Sequence, residues 1–304
     1  MIKLVECVPN FSEGRDRTVI DAIAQALSSV SGVKLLDVDP GADTNRTVYT
    51  LVGPPDAVAE AAFRGASRAA ELIDMRAHKG AHPRVGALDV CPFVPVAGVT
   101  MAECAELARG VGRRMGDELG IPIYFYEHAA ASDARRSLAD VRAGEYEGLA
   151  ARLADPAWAP DAGPARFNAR SGATVVGARE FLLAYNVNLN TRDRRLANEV
   201  ALSIREAGRA RRDAQGQIVR DRDGAPVKAP GRLKAVRAIG WYIEHYRQAQ
   251  VSINLLDFRT TPLHVVFETA REEAEKLGLL VTGSELVGLT PLEPILEAGR
   301  YFLR

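Results

Sequence analysis

The chain's 304 residues are 47% apolar, enough to bury a substantial core, and the length favours two domains or subdomains over one. Its 39 Lys and Arg residues balance 39 Asp and Glu, which leaves none of the global basic field that non-specific nucleic-acid binding relies on; any bound anion must meet a local cluster. Cys7, Cys91 and Cys104 form neither an even disulfide framework nor a C-x-x-C pair, no apolar run is long enough for a bilayer, and the N-terminus lacks a signal peptide's apolar core, so the expectation is a cytoplasmic protein without a membrane or nucleic-acid partner.

Alternating apolar residues predict a first strand over residues 2–8, and the one-sided spacing of Val19, Ile20, Ile23 and Leu27 predicts an amphipathic helix over 16–30. Strands are expected over 33–38 and 47–52, parted by a Pro-Gly-Ala-Asp turn, then an Ala-rich helix over 55–73 with Pro near its first turn. A strand at 87–93, a helix at 102–119 and a strand at 122–126 complete a β-α-β-β-α-β order with additions. Residues 155–172, rich in Pro, Gly, Ala and Asp and without a sustained period, read as a connecting segment or functional loop.

The pattern then restarts. A strand at 181–189, a helix at 194–207, strands at 233–242 and 250–256, a helix at 263–277, a strand at 279–283 and a last helix at 292–302 repeat the order of the first half. The polar stretch 209–230 reads as a long hairpin tip or mobile excursion, with Arg209, Arg211 and Arg212 as a solvated charge run. The fold class expected is α+β, an α/β sandwich of two ferredoxin-like βαββαβ subdomains, because helices on one face of a mostly antiparallel sheet bury both apolar surfaces.

His82 sits between Gly80 and Pro83, in a segment that neither helix nor strand propensity stabilises. Surrounding structure must hold such a loop, and an imidazole is suited to proton transfer near neutral pH; the bland alternative is a histidine bonded to nearby backbone. His78 and His82 have the i, i+4 spacing of a helical metal pair, but Gly80 and Pro83 oppose a helix and no Glu lies between them, so no metal is expected. Cys91, in the apolar Val-Cys-Pro-Phe-Val run, reads as core. Asp37 and Asp39 alternate along a strand end with Asn45 and Arg46 across the turn, which makes Asp39 a candidate partner for His82, turn chemistry being the alternative. Around Asn10, Ser12 and Glu13, helix capping by Ser12 is the plain reading.

Several stretches together resemble the formiminotransferase family: Leu4-Val-Glu-Cys-Val-Pro-Asn-Phe-Ser-Glu-Gly14, Leu35-Leu-Asp-Val-Asp39, Thr44-Asn-Arg-Thr-Val-Tyr49, the His78-Lys-Gly-Ala-His82-Pro-Arg-Val-Gly-Ala-Leu-Asp89 segment running on to Pro95, Gly172-Ala-Thr-Val-Val-Gly-Ala-Arg179, Gly240-Trp-Tyr242, Asn254-Leu-Leu-Asp-Phe258 and Gly283-Ser-Glu-Leu-Val-Gly-Leu289. The resemblance implies subdomains at residues 1–178 and 179–304 with a folate-binding tunnel between them, a homodimer, and transfer of a formimino group between formiminoglutamate and N5 of tetrahydrofolate, the co-substrate, in histidine and one-carbon metabolism. It assigns the catalytic histidine to His82, for which the strand position of Asp39 supplies the orienting partner, and the folate-contacting loop to Gly163, Pro164, Ala165, Arg166, Phe167, Asn168, Ala169, Arg170, Ser171 and Gly172. Arg84, Arg166 and Arg170 become candidate anion contacts, and Arg232 and Lys234 candidates for the folate glutamate tail. Bifunctional relatives fuse this unit to a cyclodeaminase, so a separate cyclodeaminase is a possible partner. The middle of the loop, Ala169-Arg-Ser171, departs from some relatives, which leaves open a relative acting on 5-formyltetrahydrofolate or with a different formimino acceptor; a folate-binding module without transferase activity is a separate alternative.

Overall fold

The computed structural model describes residues 2–80, 82–222 and 224–304; Met1, Ala81 and Asp223, which fall in stretches read above, lie outside the described residues. The chain divides into two compact units, Met1–Glu180 and Phe181–Arg304.

In the first unit the expected opening strand is two short pieces, β1 (Leu4–Cys7) and β2 (Asn10–Phe11), because Pro9 between them has no N–H for a ladder. Helix α1 (Arg17–Ser28) buries Ile20, Ile23 and Leu27, and its cap is Asp16, which accepts from Thr18 N at 2.8 Å. Ser12 is not the cap; its Oγ donates to the Gly86 carbonyl at 2.7 Å and ties the N-terminal strand to the segment after His82. The hairpin β3 (Lys34–Gly41) and β4 (Arg46–Gly53) runs further than predicted, through Pro40, which an edge strand tolerates. Helix α2 (Pro55–Leu72), strand β5 (Leu88–Ala97), helix α3 (Met101–Leu119) with a Thr100–Glu103 capping box, and strand β6 (Ile123–Glu127) follow close to expectation. Helices α4 (Leu138–Val141) and α5 (Glu145–Leu153) and strand β7 (Thr174–Ala178) were not foreseen.

The sheet runs β3, β4, β1 with β2, β5, β7, β6. Its first part, with α1 and α2, is the βαββαβ arrangement; β5, β7 and β6 then add a parallel extension. Parallel strands need cover on both faces. Val176, Phe125 and Cys91 pack toward the helices α1 to α3, whereas Val175, Tyr124, Tyr126 and Val90 join a second cluster with Val141, Leu149 and Leu153 from α4 and α5. A strand buried on both sides shows no alternation, which is why Thr174–Ala178 escapes a period-two reading.

The second unit comprises β8 (Leu183–Leu189), α6 (Arg194–Ile204), β9 (Arg209–Ala210), β10 (Lys228–Ala229), β11 (Val236–Ile243), β12 (Gln248–Leu255), α7 (Leu263–Lys276), β13 (Val281–Val287) and α8 (Leu292–Phe302). Its antiparallel sheet, β11-β12-β8-β13, has the ferredoxin-like order expected. The described residues of 209–230 form a hairpin extension: β9 pairs with β10, and further bridges join Arg212 to Ile218 and Arg220 to Pro226. Among the described residues no helix is long and apolar enough to cross a membrane.

Two glycines of α3 test how closely this helix sits on the sheet. A methyl group at Gly112 would lie 2.5 Å from Phe125 and 3.1 Å from Ile123, whereas one at Gly110 meets nothing within 4 Å. Gly112→Ala is therefore expected to cost about 1–3 kcal/mol by overpacking, and Gly110→Ala to gain up to about 1 kcal/mol of helix propensity. Urea denaturation of both variants checks the opposite signs; equal effects would show that the packing at Gly112 is looser than described.

Candidate active site

The loop that carries His82 is held by Asn45. This residue has a left-handed backbone (φ 48°), which Asn tolerates better than most, and is 7% exposed. Its Oδ1 accepts from Gly14 N at 3.0 Å, its Nδ2 donates to the Lys79 carbonyl at 3.0 Å, and its own carbonyl accepts from His78 Nε2 at 2.8 Å. Three loops thus meet on one side chain and its peptide. With Nε2 of His78 donating, Nδ1 is the lone-pair nitrogen, and it accepts from Arg84 Nε at 3.3 Å. Both His78 nitrogens are occupied, so this histidine supports the loop. Arg84 is in turn clamped to Glu147 at 2.6 and 2.7 Å and to Glu145 at 3.0 Å, which makes it an internal brace and not the free anion contact expected from sequence.

His82 lies against a chain of polar groups from three strands and a helix end. Asn10 Oδ1 accepts from Arg46 Nε at 3.0 Å and also from Nη2. Arg46 Nη1 approaches both nitrogens of His82, at 2.8 Å (Nδ1) and 3.3 Å (Nε2), and Asp89 Oδ2 at 3.2 Å. The same Asp89 oxygen accepts from Arg142 Nη2, while Oδ1 accepts from Val85 N at 3.0 Å. Asp89 reaches this position through a β-bulge: Asn10 pairs with Val90 and Phe11 with Leu88, which leaves Asp89 as the extra residue of β5.

The Pro83 carbonyl lies 2.7 Å from His82 Nδ1 and can only accept, whereas the guanidinium can only donate. Nδ1 therefore serves one of them at a time. In the tautomer with the proton on Nδ1, the ring donates to Pro83 and turns the Nε2 lone pair toward Arg46. Burial, then the positive charges of Arg46 and Arg142, push the His82 pKa down to about 4, with Asp89 and the Pro83 carbonyl pulling the other way. The imidazole is neutral at physiological pH. Burial also lowers Arg46 to about 10, far enough above neutrality to keep its charge.

The other residues read from the sequence fall around this cluster. Asp39, Val48, Asn10 and Val90 are successive cross-strand partners, so Asp39 shares the face that carries Asn10. It stands two strands from Asn10, about 10 Å by strand spacing, and makes no side-chain hydrogen bond to His82. Partial desolvation and the neighbouring Asp37 raise its pKa. Asp89 shares the Arg46 guanidinium with His82, and its charge bears on the imidazole. Residues 163–172 come next to the His82 segment: Gly172 bridges Gly86, and Ala87 N donates to the Ser171 carbonyl at 2.9 Å. Left-handed glycines, Gly163 (φ 76°) and Gly172 (φ 67°), bound the loop. Between them Asn168 closes a turn on Ser171 N at 3.0 Å, Phe167 lies partly exposed with its ring 5.4 Å from Tyr146, and Ala169 accepts from the Tyr146 hydroxyl at 2.6 Å. Ala165 and Arg166 are exposed, and Arg170 donates to the Ala70 carbonyl at the end of α2 at 3.1 Å. In the second unit, Arg232 pairs with Glu272 and Glu273, and Lys234 lies 3.9 Å from Glu206. Among the described residues no group of three or more His, Cys, Asp or Glu side chains is arranged to hold a metal ion.

Asn10, Asn45, Arg46, Asp89 and Arg142 are site residues to which the sequence reading gave no role beside His82. Asp89 stood inside the quoted segment, as a lone carboxylate in an otherwise apolar strand; that was the available signal. Arg142 lies in a stretch with no predicted element and offered none.

Residues 4–179 match the family model for the N-terminal subdomain of the formiminotransferase domain, and residues 184–304 match the model described as formiminotransferase domain. A formimidoyltransferase-cyclodeaminase of Rattus norvegicus is 52% identical over 303 residues, covering 99% of this chain and 53% of that protein. A glutamate formimidoyltransferase of Streptococcus pyogenes is 41% identical over 304 residues, covering 100% of this chain and 94% of that protein, and one of Thermoplasma acidophilum is 41% identical with 100% and 93% covered. The chain thus spans about half the length of the bifunctional relatives it matches and nearly all of the monofunctional ones. With both subdomain models matched in order along almost its whole length, the chain belongs to the formiminotransferase family.

Proposed function

We propose that this protein transfers a formimidoyl group between N-formimino-L-glutamate and N5 of tetrahydrofolate, with His82 as the group that moves the proton. The observation that carries this reading is the neutral His82 imidazole, held beside Arg46 and Asp89 with a lone pair to offer. In the direction of glutamate release, N5 of the folate attacks the amidine carbon and a C–N5 bond forms. His82 takes the proton that N5 loses. The imidazolium then gives that proton to the glutamate nitrogen as its bond to the carbon breaks, so the ring ends neutral. The reverse direction uses the same steps in opposite order.

Asp89 orients His82 through Arg46, and Asp39, which has no side-chain partner among the described residues, is left to accept an N–H from substrate on the same face. The loop from Gly163 to Gly172 is the folate-contacting segment in this reading, supported by its pairing alongside residues 85–87 and by the exposed Phe167 as a flat apolar surface for a pterin. A separate cyclodeaminase would consume the product. The test is incubation of the protein with tetrahydrofolate and formiminoglutamate, following loss of formiminoglutamate. Tight folate binding without turnover would instead make the chain a folate-binding module.

His82→Ala is expected to lower turnover by roughly two to four orders of magnitude; near-normal turnover in the purified variant would sink the assignment. A second expectation follows from linkage. The folded-state pKa of His82 is depressed to about 4 from the ordinary 6.5, so the stability present above pH 6.5 is lost as the pH falls through that window toward 4, where the unfolded chain binds the proton first. Urea denaturation at pH 7.5 and pH 5 should show a smaller pH dependence for His82→Gln than for the unsubstituted protein. Equal dependence in both would count against a neutral buried imidazole.

A further inference from the structure

Arg142, at the end of α4, grips Asp89 side-on: Nε lies 3.3 Å from Oδ1 and Nη2 meets Oδ2. Its other terminal nitrogen, Nη1, has no hydrogen bond or ion pair with any described residue. Nor is it among the fully buried polar atoms left without a partner, and the Arg142 side chain keeps 12% of its surface accessible. Arg46 differs, because its nitrogens are taken up by Asn10, Asp89 and His82.

Two guanidinium groups therefore share one carboxylate that is 1% exposed, beside a neutral imidazole. Within this trio two cations face one carboxylate, and the local excess of positive charge favours an incoming anion. Glu145 and Glu147 both pair with Arg84, and their side chains are 44% and 64% exposed, so the negative charge that Arg84 leaves over is screened by water. A planar group with a free N–H edge suits a carboxylate better than a spherical anion.

The geometry points to Arg142 as a specificity-determining residue that seats a carboxylate of the amino-acid substrate on Nη1, next to His82. This inference rests on the formimidoyl-transfer reading and deepens it: the substrate class is an N-formimidoyl dicarboxylic amino acid, and Arg142 separates it from a neutral amide of the same shape.

The test compares formiminoglutamate with its two monoamides, in which either carboxylate is replaced by a carboxamide. The unsubstituted protein is expected to prefer formiminoglutamate over one monoamide by roughly 10- to 100-fold in kcat/KM, the cost of losing one charge-assisted hydrogen bond. In Arg142→Gln this preference should collapse to a few-fold, with the loss falling on KM for formiminoglutamate and not on KM for tetrahydrofolate, and Arg142→Lys should restore part of it. A preference that survives in Arg142→Gln, or is absent from the unsubstituted protein, overturns the inference. No transferase turnover in the unsubstituted protein would instead overturn the reading beneath it. A measurement that needs no variant is the imidazole NMR titration with glutarate. Arg46 and Arg142 are the cations, and Asp89 the carboxylate, that face His82. A dicarboxylate bound to Arg142 should therefore move the His82 midpoint upward, and an unmoved midpoint at saturation rules out a carboxylate at this place.

Discussion

The arrangement around His82 depends on one buried carboxylate. Asp89 is almost fully enclosed in a strand whose neighbours are apolar, where an unpartnered polar group is costly. Val85 N, Arg46 and Arg142 together supply four donors to its two oxygens. Removing any one partner would leave a buried charge short of its compensation, a larger penalty than the pair's net worth. Burial first, and then two cations facing that one carboxylate, hold the His82 pKa down, and a neutral ring is the form that can take a proton.

The scaffold explains why this cluster sits where it does. Strand β5 is the seam between the antiparallel ferredoxin-like part of the first unit and its parallel extension. On the antiparallel side it meets β2, whose Asn10 holds Arg46; on the other side α4 and α5 cover the extension and bring Arg142 over the sheet. The bulge at Asp89 falls at this seam and turns its carboxylate to the face shared by Asn10 and Arg46. The loop bearing His82 crosses the same edge, pinned on one side by Asn45 and His78 and on the other by Arg84 with Glu145 and Glu147. A loop held on both sides presents its imidazole without the entropy cost of ordering it during each turnover.

Much of this was legible in the order of residues. The period-3.6 stripes of α1, α2 and α3 and the alternation in β3 and β4 report their own surroundings locally, so the βαββαβ order of both halves could be read from one-dimensional pattern. His82 could be singled out because Gly80 and Pro83 make its segment irregular, and an irregular segment needs support from elsewhere. The resemblance of whole stretches then pointed to the formiminotransferase family, and the match of both subdomain models bears that out.

What lay beyond the sequence was whatever depends on distance through space. Asp39 was the natural partner for His82 on the line of the chain, but strand spacing sets it two strands from Asn10, and a bulge brings Asp89 in. Strand β7 hid because burial on both faces erases alternation, and Arg142 hid because a short helix in a pattern-free stretch gives no sign of what it will cover. Arg84 looked like a free cation until two glutamates more than sixty residues away closed on it. Local pattern determined which segments are helix or strand and which loop carries the histidine, since those follow from near neighbours. Only the tertiary structure decided which charges meet there, and hence the protonation of His82, because electrostatic pairing is set by separation and burial and neither is written in the order of the residues.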